Sequence, residues 1–277
     1  MKDVEATDPG HADPSRARAL FRSERLAGVT SGLCLGHLQA NLVMLPAEAA
    51  AEFEEFCRAN PRPLPLVEVC EPGDPTPRRA APGADLRSDL PRYRVYRHGE
   101  VAGEPTDVRD LWRDDMVAFL LGCSFTAEAK LLEAGVRLRH CEQGRNVPMF
   151  ETSVACAPVG RFHGRVVVSM RPIERSSVDV ARQVTSEYPL AHGSPLQVGE
   201  PEAIGIADLA RPDYGDAIEP SADEVAVFWA CGVTSQSVIR SVRPELAITH
   251  APGHMFITDV PDSAIRFRSS LPAGGSP

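Results

Sequence analysis

The stretch EVAVFWACG at 224–232 constrains the chain more than any other. Its β-branched and aromatic residues favour a strand, and its apolar letters fall on both alternating faces. Such a strand must be covered from both sides, which demands a layered body of sheet and helix. It runs straight into GVTSQSVIRSV, where a helix is expected over 234–242. The four letters GVTS also occur at 28–31, but the flanking residues GLCLGH and QSVIRS do not continue the match. The two copies are therefore read as two local corners and not as an internal repeat.

Other segments follow from the same patterning. A first helix is expected over roughly 15–26. TSGLCLGHLQANLVMLP has apolar residues at 35, 38, 42 and 45 behind Thr30 or Ser31, a helical spacing with a capping hydroxyl. PAEAAAEFEEFCRANP is a second helix opened by Pro46. PLPLVEVCEPGD is a short buried strand, and PRYRVYRHGEVAG is a hairpin turning near HG. TDVRDLWRDDMVAFLLG has apolar residues at 108, 111, 112, 116, 119 and 120 before Gly122, which predicts another helix. SFTAEAKLLEAG is helical, stopped at Gly135. After Gln143 the pattern becomes strand, strand, helix and strand, up to about 210. LAITHAP and HMFITDV are the closing strands.

Short apolar strands feeding helices predict a predominantly parallel sheet. The fold class expected is α/β. Residues 1–143 and 211–277 would form a three-layer α/β/α domain built from both ends of the chain, with a smaller two-layer α+β domain inserted at 144–210. Residues 1–14 and 268–277 are polar, Pro- and Gly-bearing stretches expected to be loose tails.

Charge and cysteine usage exclude several classes. The net charge is −9, and the 29 basic residues form no run, which argues against a nucleic-acid partner. Seven cysteines, an odd number without C-x-x-C spacing, suggest neither a disulfide framework nor a zinc knuckle. The longest strong apolar stretch, MVAFLLGC, is too short to span a bilayer, and the first residues lack the apolar core of a secretory signal. The chain is read as cytoplasmic, without a membrane partner, and as a possible homo-oligomer.

Candidate site residues cluster at element ends. The corner ACGVTSQS places Thr234, Ser235 and Gln236 where a strand meets a helix. Backbone amides at a helix start favour a carboxylate or phosphate, although Thr234 or Ser235 would also serve simply as caps. The lysine and spacing of a P-loop are missing, and no G-x-S-x-G or G-x-G-x-x-G occurs. His250 and His254 flank Pro252 and Gly253 in THAPGHMF. That break prevents two imidazoles from sharing a helix face, so a general acid–base role stands above a metal site. Arg171 in SMRPIE would clamp a carboxylate or make a structural ion pair. Asn146 in QGRNVP would orient a ligand or make an Asx turn. Ser124 and Glu128 in GCSFTAE, and Thr30 and Ser31 in the first GVTS, are hydroxyl-bearing or acidic helix starts. ADLRSDLPRYRVY crowds acids and arginines into what reads as a loop stapled by ion pairs. No metal and no cofactor is expected.

Taken in order along the chain, the phrases GVTSG, ANLVMLP, NPRPLPLVEVCEPGDP, APGADLRSDLPRYRVYRHGE, GCSFTAE, GRNVPMFET, VVSMRPI, HGSPLQVGEP, WACGVTSQ and THAPGHMFITD form a specific set. This set, spanning about residues 16–262, resembles the D-glutamate cyclase family of hydro-lyases. The resemblance implies conversion of D-glutamate, or a related small carboxylate, to 5-oxo-D-proline and water. It also implies a three-layer α/β domain with a smaller α+β domain. Cys34 in SGLCLGH, EP in VGEP and the phrase CSFTAE depart from the family's pattern and leave the substrate open. From the residues themselves, the expected site joins an anion holder (Thr234, Ser235), an orienting group (Arg171 or Asn146) and a proton shuttle (His250 or His254). The alternative is a non-catalytic binder of small carboxylates, or a subunit of an assembly handling 5-oxoproline.

Overall fold

The computed structural model describes residues 12–267. Of the expected loose ends, 1–11 and 268–277 lie outside the described residues. Asp13 instead caps the first helix, α1 (Pro14–Arg22), accepting from the amides of Ser15 and Arg16. Arg18 fastens that helix to the closing strand by donating to the Ile257 carbonyl and to Asp259.

Two sheets form the body. The first holds seven strands: β1 (His37–Pro46), β2 (Leu66–Val69), β3 (Tyr93–Arg97), β4 (Glu100–Gly103), β5 (Met116–Gly122), β10 (Leu246–His250) and β11 (Phe256–Pro261). Their order is β2-β5-β1-β10-β3-β4, with β11 also pairing β1. The second sheet runs β6-β7-β9-β8 and is built from β6 (Met149–Ala155), β7 (Arg165–Glu174), β8 (Gln197–Val198) and β9 (Glu224–Ala230). Every strand pairing between these elements is antiparallel, which overturns the expected parallel sheet. The strands β1, β5, β7, β9 and β10 are nevertheless almost wholly buried, so they carry the continuous apolar runs that suggested parallel pairing. The second sheet recruits β9, so its strands extend past the boundary expected at residue 210.

Two segments expected as helices are strands. β1 is buried along almost its whole length, and its polar letters Gln39 and Asn41 created the false helical spacing. Both side-chain NH2 groups find acceptors inside the protein: Gln39 donates to the Thr30 and Leu33 carbonyls, and Asn41 to those of Leu121 and Gly122. β5 is likewise a fully buried strand, and the period seen across 108–120 merged it with a short 3₁₀ turn at Arg109–Leu111. The expected helices α2 (Ala47–Ala59), α3 (Glu128–Glu133), α5 (Val178–Ser186) and α6 (Thr234–Val242) are present, joined by a short α4 (Arg139–Glu142).

One core joins the two sheets. Val43, Leu45, Phe119 and Leu121 of the first sheet share a cluster with Phe150, Val168, Met170 and Phe228 of the second. Phe53 and Phe56 of α2 and Val238 and Ile239 of α6 belong to it as well. Phe53 meets Phe119 edge-on at 5.0 Å between ring centroids, a favoured aromatic geometry. The alternate residues of the first sheet, among them Leu42, Met44, Ala118 and Leu120, pack on the other side with Leu86 and Leu90. On the outer face of the second sheet, Val227 and Trp229 meet Leu131 of α3 and Ala181 of α5. This packing brings α3 and α4 against β7, where the charged residues meet.

Candidate functional site

Arg171 interrupts the apolar strand β7 with a guanidinium that is only 2% exposed. A charge so enclosed requires partners of opposite sign or good hydrogen bonds. Glu128, fully buried at the start of α3, supplies the charge, with Nη2 donating to Oε1 at 3.0 Å. The same Nη2 donates to Ser124 Oγ at 3.1 Å, and Nη1 to Ser169 Oγ at 3.2 Å. The guanidinium carbon also lies 5.6 Å from the Trp229 ring centroid, within cation–π range. Nε of Arg171 is buried and has no partner among the described residues.

α4 brings two further groups to Glu128. His140 Nε2 is 2.7 Å from Oε1, and Cys141 Sγ is 3.3 Å from that ring nitrogen. From the opposite end of the chain, Ser31 Oγ donates to Glu128 Oε2 at 2.8 Å and lies 3.4 Å from Cys141 Sγ. Ser31 and Cys141 are half-buried, whereas Glu128, His140 and Arg171 are enclosed, so the cluster meets solvent on the Ser31–Cys141 side. Burial alone would raise the Glu128 carboxyl, but His140 and Arg171 outweigh it and hold it at about 2. Burial, reinforced by Glu128, pushes the Cys141 thiol up to about 12. The site thus holds a fixed carboxylate hydrogen-bonded to an imidazole, beside a protonated thiol. Such a pair can take up and return a proton.

Of the residues expected at a site, Ser31, Ser124 and Arg171 meet in this cluster. Thr30 and Asn146 lie on the adjoining HAPGH loop instead. Thr30 donates from its amide to the Gly253 carbonyl at 2.8 Å and accepts from the Met255 amide at 3.0 Å. Asn146 Nδ2 donates to the Pro252 carbonyl, while its Oδ1 is buried without a partner among the described residues. Gly253 is required here, since its φ is +84° and a Cβ would fall 2.6 Å from the Asn146 side chain. Thr30 and Ser31 occupy a turn leading to β1 and start no helix.

The two histidines expected to shuttle protons stand apart from Glu128 in their bonding. His250 is wholly buried, with Nδ1 at 3.2 Å from the Leu42 amide, and burial pushes it down to about 3. His254 contacts the Pro252 carbonyl at 3.1 Å and is shifted down, chiefly by burial.

The second GVTS corner is also closed. The amides of Thr234, Ser235 and Gln236 donate to the carbonyls of Cys231, Gly232 and Val233 at 3.0, 3.0 and 2.8 Å. Those three amides are spent within the turn, so the expected anion holder has none of them to offer. Neither hydroxyl caps α6: Thr234 Oγ1 donates to Cys231 and Ser235 Oγ to Gly232. Gln236 is buried, donating to the His250 carbonyl and accepting from Tyr96.

His140, Cys141, Ser169 and Trp229 were not among the expected site residues. Adjacent His and Cys form no spacing motif, and their meaning depends on Glu128 arriving from another element. A signal did exist in Arg171, because a charge inside VVVSMRPI needs a buried acid nearby, and Glu128 lies in an apolar context. The Glu128, His140 and Cys141 donor atoms lie within 4.8 Å of one another, close enough to hold a metal ion.

A family model described as D-glutamate cyclase matches residues 117–259, a span containing Ser124, Glu128, His140, Cys141 and Arg171. A protein of Bordetella petrii named a putative hydro-lyase is 57% identical over 90% of this chain and 94% of its own length. Similarly named proteins of a Thermoanaerobacter species (strain X514) and of Bacillus licheniformis are 54% and 53% identical, over 91% and 90% of this chain and 95% of their own lengths. Among solved structures, a nitrogen repressor-like protein from Methanococcus jannaschii aligns over 84% of this chain and 90% of its own, at 10% identity and a TM-score of 0.37, too loose to bear on function.

Proposed function

Since the chain belongs to the D-glutamate cyclase family, we propose that it converts D-glutamate, or a closely related amino dicarboxylate, to 5-oxo-D-proline and water. The observation that carries this reading is the enclosed Glu128–His140–Arg171 cluster, bordered by the half-buried Ser31 and Cys141. In the reaction the amine nitrogen forms a bond to the side-chain carboxyl carbon, and one carboxyl oxygen leaves as water. The ammonium supplies both protons of that water and the lactam keeps the third, so no net proton is consumed. The protein must therefore lift protons from nitrogen and return them to oxygen.

The Glu128–His140 pair is suited to that transfer, since the two groups share a short hydrogen bond. Arg171 keeps Glu128 charged, and its unpartnered Nε–H offers a donor to a substrate carboxylate. Ser124 and Ser31 fix the two sides of Glu128's environment. Holding the substrate curled would contribute much of the acceleration, as in other intramolecular reactions. In this reading the proton shuttle is His140 with Glu128, and the anion-holding role passes from the second GVTS corner to Arg171.

The test is incubation with D- and L-glutamate in deuterated water, with 5-oxoproline followed by mass spectrometry. Product from D-glutamate with no deuterium on carbon is the expected result. Binding without product would favour the carboxylate binder. Deuterium on carbon would favour a hydro-lyase that abstracts a proton α to a carboxylate.

A further inference from the structure

We propose that Glu128, His140 and Cys141 together bind a divalent metal ion of the zinc class, with one coordination position left open. The three side chains offer one oxygen, one nitrogen and one sulfur donor. A mixed set of this kind suits borderline-soft ions such as zinc or cobalt and not magnesium or calcium. The observed separations are 2.7 Å from His140 Nε2 to Glu128 Oε1, 3.3 Å from Nε2 to Cys141 Sγ, and 3.9 Å from Sγ to Oε2. Tetrahedral bonds of about 2.0–2.3 Å place such donors about 3.4–3.6 Å apart. The imidazole and Oε1 need therefore open by less than about 1 Å, exchanging their shared hydrogen bond for the ion, while Sγ, now 3.9 Å from the other carboxylate oxygen, turns onto the same ion.

The surroundings match an open site better than a closed structural one. Among the described residues three protein donors converge, and the Ser31–Cys141 side is half-buried, as an exchangeable fourth position requires. Groups behind the donors already hold the carboxylate: Ser31 donates to Oε2, and Arg171 to Oε1. Outer partners of this kind orient metal ligands. Charge also balances. The ion is neutralised by the Glu128 carboxylate and a Cys141 thiolate formed by release of its proton, which leaves the Arg171 charge free for an anionic ligand. In the metal-bound form the ion takes the place of the Glu128–His140 hydrogen bond, so polarising a substrate carboxyl replaces the proton-shuttle role of that pair; this use rests on the cyclisation reading, and the binding does not.

The experiment uses the full chain, stripped by chelator, dialysed against cobalt(II) and desalted, with no substrate present. About one cobalt per chain and a near-ultraviolet thiolate-to-cobalt absorption band are expected, with the band lost in Cys141→Ser and displaced by zinc but not by magnesium. A second readout needs no variant: zinc should slow alkylation of Cys141 by at least about tenfold, read by peptide mass. Cobalt well below one per chain, a band undiminished in Cys141→Ser, or Cys141 alkylation unchanged by zinc would overturn the proposal. Because no substrate is present, a negative result leaves the cyclisation reading standing, and a failure of turnover leaves the metal result standing.

Discussion

Ser31 and Ser235 each end the same tetrapeptide, Gly-Val-Thr-Ser, and both hydroxyls are engaged. Ser31 reaches across to a buried carboxylate supplied by α3. Ser235 turns back onto the Gly232 carbonyl three residues earlier. The difference lies in what each corner joins. The first leads through a turn into β1, half-buried and free to meet other elements. The second is wedged between sheet and helix, where Gly232 lies against Asn41 so closely that a Cβ would come within 2.1 Å of it. Identical local chemistry thus serves a polar cluster in one place and a packed joint in the other. A short motif shows which hydrogen bonds are possible, and tertiary position decides which are made.

Breaking the centre of the first region should have the largest effect. Arg171→Met leaves the buried Glu128 carboxylate without its cation, and a loss of about 3–5 kcal/mol is expected in chemical denaturation. The second region should show its structural character through acid. His250, whose carbonyl receives Gln236, is held down to about 3, and His192, buried elsewhere against the Arg62 carbonyl, to about 4. An unfolded chain protonates these rings near pH 6.5 while the folded protein leaves them neutral. Their contribution to stability is therefore full above pH 6.5 and falls as pH drops towards 4, by about 1.4 kcal/mol per pH unit for each ring. His250→Gln should remove about one ring's share of that slope in denaturant titrations at several pH values, and an unchanged slope would contradict the assignment.

The two serines give the sharpest contrast. Ser31→Ala should lower kcat/KM about tenfold with little change in stability, since it loosens one side of Glu128 at a half-exposed position. Ser235→Ala should do the reverse, costing about 1 kcal/mol of stability while kcat/KM stays within about twofold. Equal effects of both substitutions on turnover would erase the distinction between the corners.

The sequence made parts of this legible for physical reasons. EVAVFWACG and the helix after it carry unmixed signals, and the helix occupies Thr234–Val242, the span expected for it. The hairpin turning at His98–Gly99 was legible through its turn residues, and α2 through its opening proline and first-turn acid. β1 and β5 were misread because a strand buried on both faces has no period of its own. Their interruptions, Gln39 and Asn41 in one and a neighbouring 3₁₀ turn in the other, supplied a helical period by chance. At the site, Ser124 stood out as a hydroxyl at an element start, and Arg171 as a charge in an apolar strand, although it sits inside β7 and not at its end as expected. His140 and Cys141 did not, since their partner arrives from twelve and thirteen residues away on another helix. Ser31 meets Glu128 across 97 residues of chain, a contact that no local pattern encodes.

The most direct test compares kcat/KM on D-glutamate for Glu128→Gln and Ser235→Ala, each checked for folding by its denaturation midpoint. Glu128→Gln should fall at least about 100-fold, the scale of a lost acid–base group, while Ser235→Ala should stay within about twofold of the parent. Near-parental turnover in Glu128→Gln, or an equal collapse in folded Ser235→Ala, would contradict the placement of the reaction at the Glu128 cluster.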